Sequence, residues 1–228
     1  LQENERNMKN ALYLLIAMLL LTTGCNRPTP TTLCNELLRA EELMYPAPDS
    51  ALHILQGMTP PADELNRATW ALLLTQAKYK CFVDQSDSLV NVAYDYFMKG
   101  DDAQRKALTL YHKGVLYKEE NQVDKALPYY LQASEKGKLT EDYRLAYLIY
   151  SHIGMIYAYR KLHEYSASYC EKANEYAILS GDPYYIVESY NCIARTYSAQ
   201  KQYDKTVEYY DKAIEIGRVH NKKKLVNS

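Results

Sequence analysis

The stretch "YHKGVLYKEENQVDKALPYYLQA", residues 111–133, consists of two apolar-periodic runs separated by a polar, acidic middle. Sliding the chain by forty residues lays it over residues 151–173 and 191–213 with a set of positions in step. Gly114, Gly154 and Ala194 coincide, with Leu74 one unit earlier, and Tyr117, Tyr157 and Tyr197 fall three residues on, preceded by Ala77. Ala93, Ala133, Ala173 and Ala213 share one slot, Val90, Tyr130, Cys170 and Tyr210 another, and Ser86, Ala126, Ser166 and Thr206 a third. A fixed period of this length marks a stacked array in which each unit buries its apolar face only against its neighbours.

The punctuation recurs with the same period. Asp102, Asp142 and Asp182 stand just before apolar stretches, where a carboxylate accepts from the unpaired first-turn N–H groups. Pro183 fits the first helical position behind Asp182. Asp84, Asp124, Glu164 and Asp204 recur where a second helix of each unit is expected to open. Each unit therefore reads as a helical hairpin, with first helices near 103–119, 143–160 and 183–200 and second helices near 123–137, 163–179 and 203–218. Gly114 and Gly154 on one helix and Ala133 and Ala173 on the other allow close approach of the two backbones, with Tyr117 and Tyr157 beside them.

With small, aromatic, small, aromatic and alanine in this order, 111–133 and "IGMIYAYRKLHEYSASYCEKA" (153–173) resemble tetratricopeptide repeats. Lys113 stands where an aliphatic residue is usual, the terminal proline is missing, and the forty-residue period exceeds the family's thirty-four, which implies longer helices. The resemblance implies an all-α superhelical solenoid, and it covers about 68–220. The whole chain is also similar to tetratricopeptide lipoproteins of Gram-negative gut bacteria, through "PDSAL", "ALLLTQAKYK" and "SDSLV". Members of that group continue into further repeats, a membrane helix and a regulatory tail. The expected organisation is a capping helical pair over 33–60, repeats over 62–220 (about 62–100, 102–138, 142–180 and 182–218), and a truncated further repeat from 221 to 228.

Ahead of the array, Lys9 and Asn10 lead into eleven apolar or tyrosine residues, Ala11–Leu21, and then Thr22-Thr23-Gly24-Cys25. Eleven helical residues span only about 16 Å, roughly half a bilayer core. A positive residue, a short apolar stretch and small residues before a cut are the parts of a secretory signal. Small residues directly before cysteine resemble the lipobox of bacterial lipoproteins, which implies that Cys25 carries lipid and anchors the chain to a membrane. Residues 1–25 are thus expected to be a signal segment, with 1–7 upstream of the true start at Met8, and the polar, proline-broken 26–32 a tether. A cell-envelope location on the periplasmic side follows from that resemblance.

The 27 Lys and Arg residues are balanced by 28 Asp and Glu, so no net field recruits nucleic acid. The five cysteines (25, 34, 81, 170, 192) follow no CxxC or ladder spacing, and neither a disulfide framework nor a zinc motif is expected. No phosphate loop, HExxH or GxSxG is present, and no enzyme activity or cofactor is expected. One repeat slot holds Leu72, His112, His152 and Cys192, but helix axes about 8–10 Å apart hold such donors too far apart for a zinc ion at 2.0–2.3 Å, and packing is the favoured reading.

The face of the first helices turned from the small-residue seam carries Thr75, Lys78, Tyr79, Tyr111, Val115, Lys118, Ser151, Met155, Tyr159, Asn191 and Arg195. Rings and cations of this kind suit a bound peptide, although a solvated helix face also carries polar groups. The expected function is a lipid-anchored module binding a peptide or protein, as the sensing or scaffolding part of an envelope regulator. The alternative is a structural assembly factor.

Overall fold

The computed structural model describes residues 32–226, with side chains through 220. The expected signal segment, Cys25 and the expected tether up to residue 31 lie outside the described residues. Ten helices and no strand occur among the described residues: α1 (Asn35–Leu43), α2 (Pro48–Gly57), α3 (Glu64–Lys80), α4 (Asp87–Phe97), α5 (Ala103–Glu119), α6 (Val123–Gly137), α7 (Tyr143–Tyr159), α8 (His163–Ser180), α9 (Pro183–Ala199) and α10 (Tyr203–Val226). Successive helices pack on one another, and first helices also touch across units, α3 with α5 and α7 with α9. The fold is an all-α tetratricopeptide-type stack of hairpins.

Helix starts follow from local chemistry. Asp63, Asp102, Asp142 and Asp182 each accept a first-turn N–H, at 2.8, 2.9, 3.0 and 3.0 Å. The stops repeat as faithfully. Asn121, Lys161 and Lys201 take φ of 58°, 60° and 60°, and the next residue donates its N–H five places back, to Tyr117, Tyr157 and Tyr197 at 2.7, 2.9 and 2.9 Å. This left-handed cap satisfies the last carbonyls and reverses the chain within three residues.

The first unit departs from the forty-residue frame. Its left-handed residue is Phe82, and its cap Asp63, so both lie 39 residues before their counterparts Asn121 and Asp102. Thr75 rather than Leu74 then occupies the place of Gly114. Asp84 does not open a helix: it lies in the longer loop to α4, which begins at Asp87. The added loop residue restores the step, and Ala93 stays in frame with Ala133, both fully buried. The last helix runs on to Val226 instead of ending near 218, so no new helix begins at 221.

The seam is built by absence of side chain. A methyl group on Gly114 would sit 2.7 Å from Cε1 of Tyr130, and one on Gly154 would sit 3.0 Å from Sγ of Cys170. The small residue thus meets the ring or thiol of the Tyr130 and Cys170 slot on the partner helix, not the alanine slot directly. Alanines 133 and 173 are fully buried one turn away and let the same helices close. The principal core joins Leu110, Tyr111, Val115, Tyr130, Leu145, Ile149 and Ile153. Outside it, tyrosine pairs recur with the repeat: Tyr117 on Tyr129, Tyr157 on Tyr169 and Tyr197 on Tyr209, with centroids 5.4, 5.4 and 5.6 Å apart and nearly parallel rings. These six tyrosines thus form a recurrent stacked seam between the two helices of each hairpin.

Lys113, the cation in an aliphatic slot, is buried. Its Nζ donates to Asp87 Oδ1 at 2.9 Å and Asn91 Oδ1 at 2.7 Å, tying α5 to α4. That contact holds the Asp87 carboxyl below the usual carboxylate range. Cys170 and Cys192 form a disulfide between α8 and α9, with Cα atoms 6.0 Å apart, against the expectation of no disulfide; Cys34 and Cys81 are free thiols. The pair was invisible to spacing rules because its cysteines belong to two different repeat slots brought together by stacking.

Candidate functional site

The first helices α3, α5, α7 and α9 present the face expected to bind. Tyr111 and Val115 do not belong to its surface, being 1% and 0% exposed. Tyr111 is wedged between Tyr79, His112, Tyr130 and His152, at centroid distances of 6.3, 5.1, 5.8 and 5.4 Å, because neighbouring first helices close over it. Thr75 is likewise buried and donates to the Ala71 carbonyl at 2.8 Å.

The other expected residues keep some access to solvent. Lys78 donates to the Asp84 carbonyl at 3.3 Å, Ser151 to that of Leu148 at 3.0 Å, and Asn191 to Glu188 at 3.2 Å. Tyr79 is half-buried on Tyr111 and His112. Met155, Tyr159 and Arg195 are exposed. Tyr79, Lys118, Met155, Tyr159 and Arg195 thus keep access to solvent on α3, α5, α7 and α9, while Tyr111 beneath is buried.

Two histidines lie in that floor. Nδ1 of His152 bonds the Leu148 carbonyl at 2.8 Å, which assigns the proton to Nδ1 and leaves Nε2 to accept from Lys118 Nζ at 3.2 Å. Neither ring nitrogen of His112 has a hydrogen-bond partner among the described residues. Burial, then Lys80 and His152, pushes His112 down to about 3, and burial, then Lys118, pushes His152 down to about 4. Both are neutral at pH 7, and Cys192, the third member of their slot, is committed to Cys170. No group of three or more His, Cys, Asp or Glu suited to a metal occurs among the described residues.

A second cluster escaped the sequence. The ring of Tyr45, in the turn between α1 and α2, lies between Lys80 Nζ at 4.2 Å and the Arg144 guanidinium at 4.7 Å from its centroid. Arg144 approaches Asp182 at 4.0 Å, and Tyr185 stacks on Tyr147 at 4.6 Å. Burial, then Asp142, holds the Tyr45 hydroxyl far above its ordinary value, while burial, then Arg144, lowers Lys80. Glu41 of α1 accepts twice from Arg105 of α5, both at 3.0 Å. The N-terminal pair is thereby pinned to α5 and α7. Tyr45 and Arg144 are 99 residues apart and off the repeat frame, so no periodic signal marks them.

A family model described as tetratricopeptide repeat matches residues 186–222, which is the hairpin of α9 and α10. No curated protein matches the sequence. Among solved structures, BtubC from P. vanneervenii superimposes with a TM-score of 0.56 at 15% identity, covering 82% of this chain and 75% of that one. MamA superimposes with a TM-score of 0.54 at 16% identity, covering 80% of this chain and 95% of its own. At these identities the likeness concerns the fold.

Proposed function

We propose that this tetratricopeptide-repeat chain is a module that binds a peptide or protein partner, held at the cell envelope by lipid on Cys25. What supports the binding role is the solvent access of Tyr79, Lys118, Met155, Tyr159 and Arg195 on successive first helices. Their rings supply contact area at low entropic cost, and their cations supply charge-assisted bonds. Among the described residues no helix is long and apolar enough to cross a membrane.

The anchor rests on the order of Lys9, the apolar run, Thr22-Thr23-Gly24, Cys25 and a polar tether. The Cys170–Cys192 bond supports export, since structural disulfides persist in oxidising compartments. A lipid-tethered module of this kind suits the sensing or scaffolding part of an envelope regulator. The test compares cross-linked partners of the wild-type chain with those of Arg195→Glu and Tyr159→Ala in envelope extract. Loss in both supports the first-helix site, and equal recovery in both refutes it. Cys25→Ala is expected to abolish fatty-acid labelling, and persistent labelling would remove the anchor.

A further inference from the structure

Phe82 is an apolar ring held where the fold gives it almost no burial. It is 98% exposed, and its backbone is left-handed at φ 55°, a conformation that a bulky residue rarely adopts. At the same place in the later turns the chain has Asn121, Lys161 and Lys201, side chains that suit water. The turn itself has no need of a ring, since the cap is closed by the next N–H, from Val83 to the Lys78 carbonyl at 2.9 Å. A strained and uncovered apolar residue of this kind points to contact with another molecule.

The ring lines a recess of about 480 Å³ between the α3–α4 turn and the end of α5. Tyr79, Val83 and Leu116 complete its apolar lining, and Asp84, Glu119 and Glu120 make it acidic. Glu119 accepts from Gln85 at 3.1 Å and Glu120 from Gln122 at 2.7 Å, both neutral donors, and no cation pairs with any of the three carboxylates among the described residues. The nearby lysines are committed elsewhere, Lys78 to the Asp84 carbonyl and Lys118 to His152. Gln85, which lines the recess too, keeps its Oε1 buried without a donor among the described residues. The recess sits inside the stack, with α1–α2 before it and α7–α8 after it, so one more hairpin at either end would leave it open.

We infer that this recess docks a segment of a partner protein that carries an apolar side chain next to arginine or lysine. The charge of the occupant follows from what the recess offers, three carboxylates without a cation and an amide oxygen without a donor. Its apolar side chain covers the Phe82 ring, which the fold leaves in water. The inference rests on the interaction-module reading and adds to it the chemistry of one partner segment, bound at the turn edge of the stack beside Tyr79.

The probe is a short labelled peptide of leucine and arginine in equal number, beside a twin with glutamate for each arginine. Fluorescence anisotropy with the full chain should show saturable binding of the arginine peptide below about 1 mM, and about tenfold weaker binding of the twin. Phe82→Asn, and the paired change of Glu119→Gln with Glu120→Gln, should each weaken the arginine peptide about fivefold or more. Phe82→Asn should leave the urea midpoint unchanged or raise it, since asparagine accepts the left-handed backbone, as at Asn121. A lowered midpoint would make the ring a packing element and overturn the inference. So would absent binding, equal binding of the twin, or binding indifferent to both variants. A benzophenone carried at position 82 should cross-link to the peptide. Cross-links into residues 1–31 or into a second copy would instead give the recess to this chain and overturn the inference. If Arg195→Glu and Tyr159→Ala lose envelope partners while Phe82→Asn binds the peptide normally, the module reading stands and this inference falls. If both keep their partners while peptide binding still needs Phe82, the first-helix site falls and the recess remains.

Discussion

Acid should loosen the stack through His112 and His152 before it disturbs the surface. An unfolded histidine titrates near 6.5, whereas these fold with values of about 3 and about 4. Because both folded values are depressed, the fold binds fewer protons than the unfolded chain between them, and stability falls as pH drops from about 6.5 towards 4. At pH 4.5 each imidazole has cost about 2–3 kcal/mol relative to pH 7, so that the pair costs a sizeable share of the total stability of many domains. Urea titrations at pH 7 and 4.5 measure the difference directly. Carboxylates also titrate in this window, so the discriminating variant is His112→Leu, which places an aliphatic side chain where the first unit has leucine. Removing an imidazole with two unpartnered nitrogens should raise stability at pH 7 by about 1 kcal/mol or more and shrink the acid loss by roughly half. An unchanged acid loss in His112→Leu would refute the assignment of the cost to this buried ring.

Further outcomes follow from other contacts. Reducing Cys170–Cys192, or Cys192→Ser, releases a crosslink spanning 22 residues and should lower stability by about 3 kcal/mol, read by urea melts with and without reductant. Lys113→Leu restores an aliphatic slot, and because its partner Asp87 is largely exposed, stability should change by less than about 1 kcal/mol, while the Asp87 carboxyl returns upward to its ordinary range by NMR titration.

The hairpins from 103 onward were legible because each boundary is set locally. Aspartate caps and left-handed stops recur with the period, and the expected start and end of α5 and α6 coincide with those observed. The first unit was less legible, since a turn displaced by one residue at Phe82 is offset by a longer loop, and only the buried alanine stays in frame. The face expected to bind was read one layer too deep at Tyr111 and Val115. Helical periodicity puts Tyr111 and Val115 on the side turned from the seam, but that side meets the neighbouring first helices, so stacking buries them. Tyr45, Lys80 and Arg144 had no sequence signature at all, because they meet through the stacking of distant units. The same holds for Cys170 and Cys192, whose slots touch only between consecutive hairpins.

The most direct measurement is a double-mutant cycle of Gly114→Ala with Tyr130→Leu, by equilibrium unfolding. Overpacking against a fully buried ring costs about 1–3 kcal/mol, offset by roughly 1 kcal/mol of helix propensity, so Gly114→Ala alone should destabilise by up to about 2 kcal/mol. With Tyr130 shortened to leucine, the methyl group has room, and the same change should be neutral or stabilising. An equal cost in both backgrounds would mean that Gly114 and Tyr130 do not meet across the hairpin, and the repeat stack would lose its physical basis.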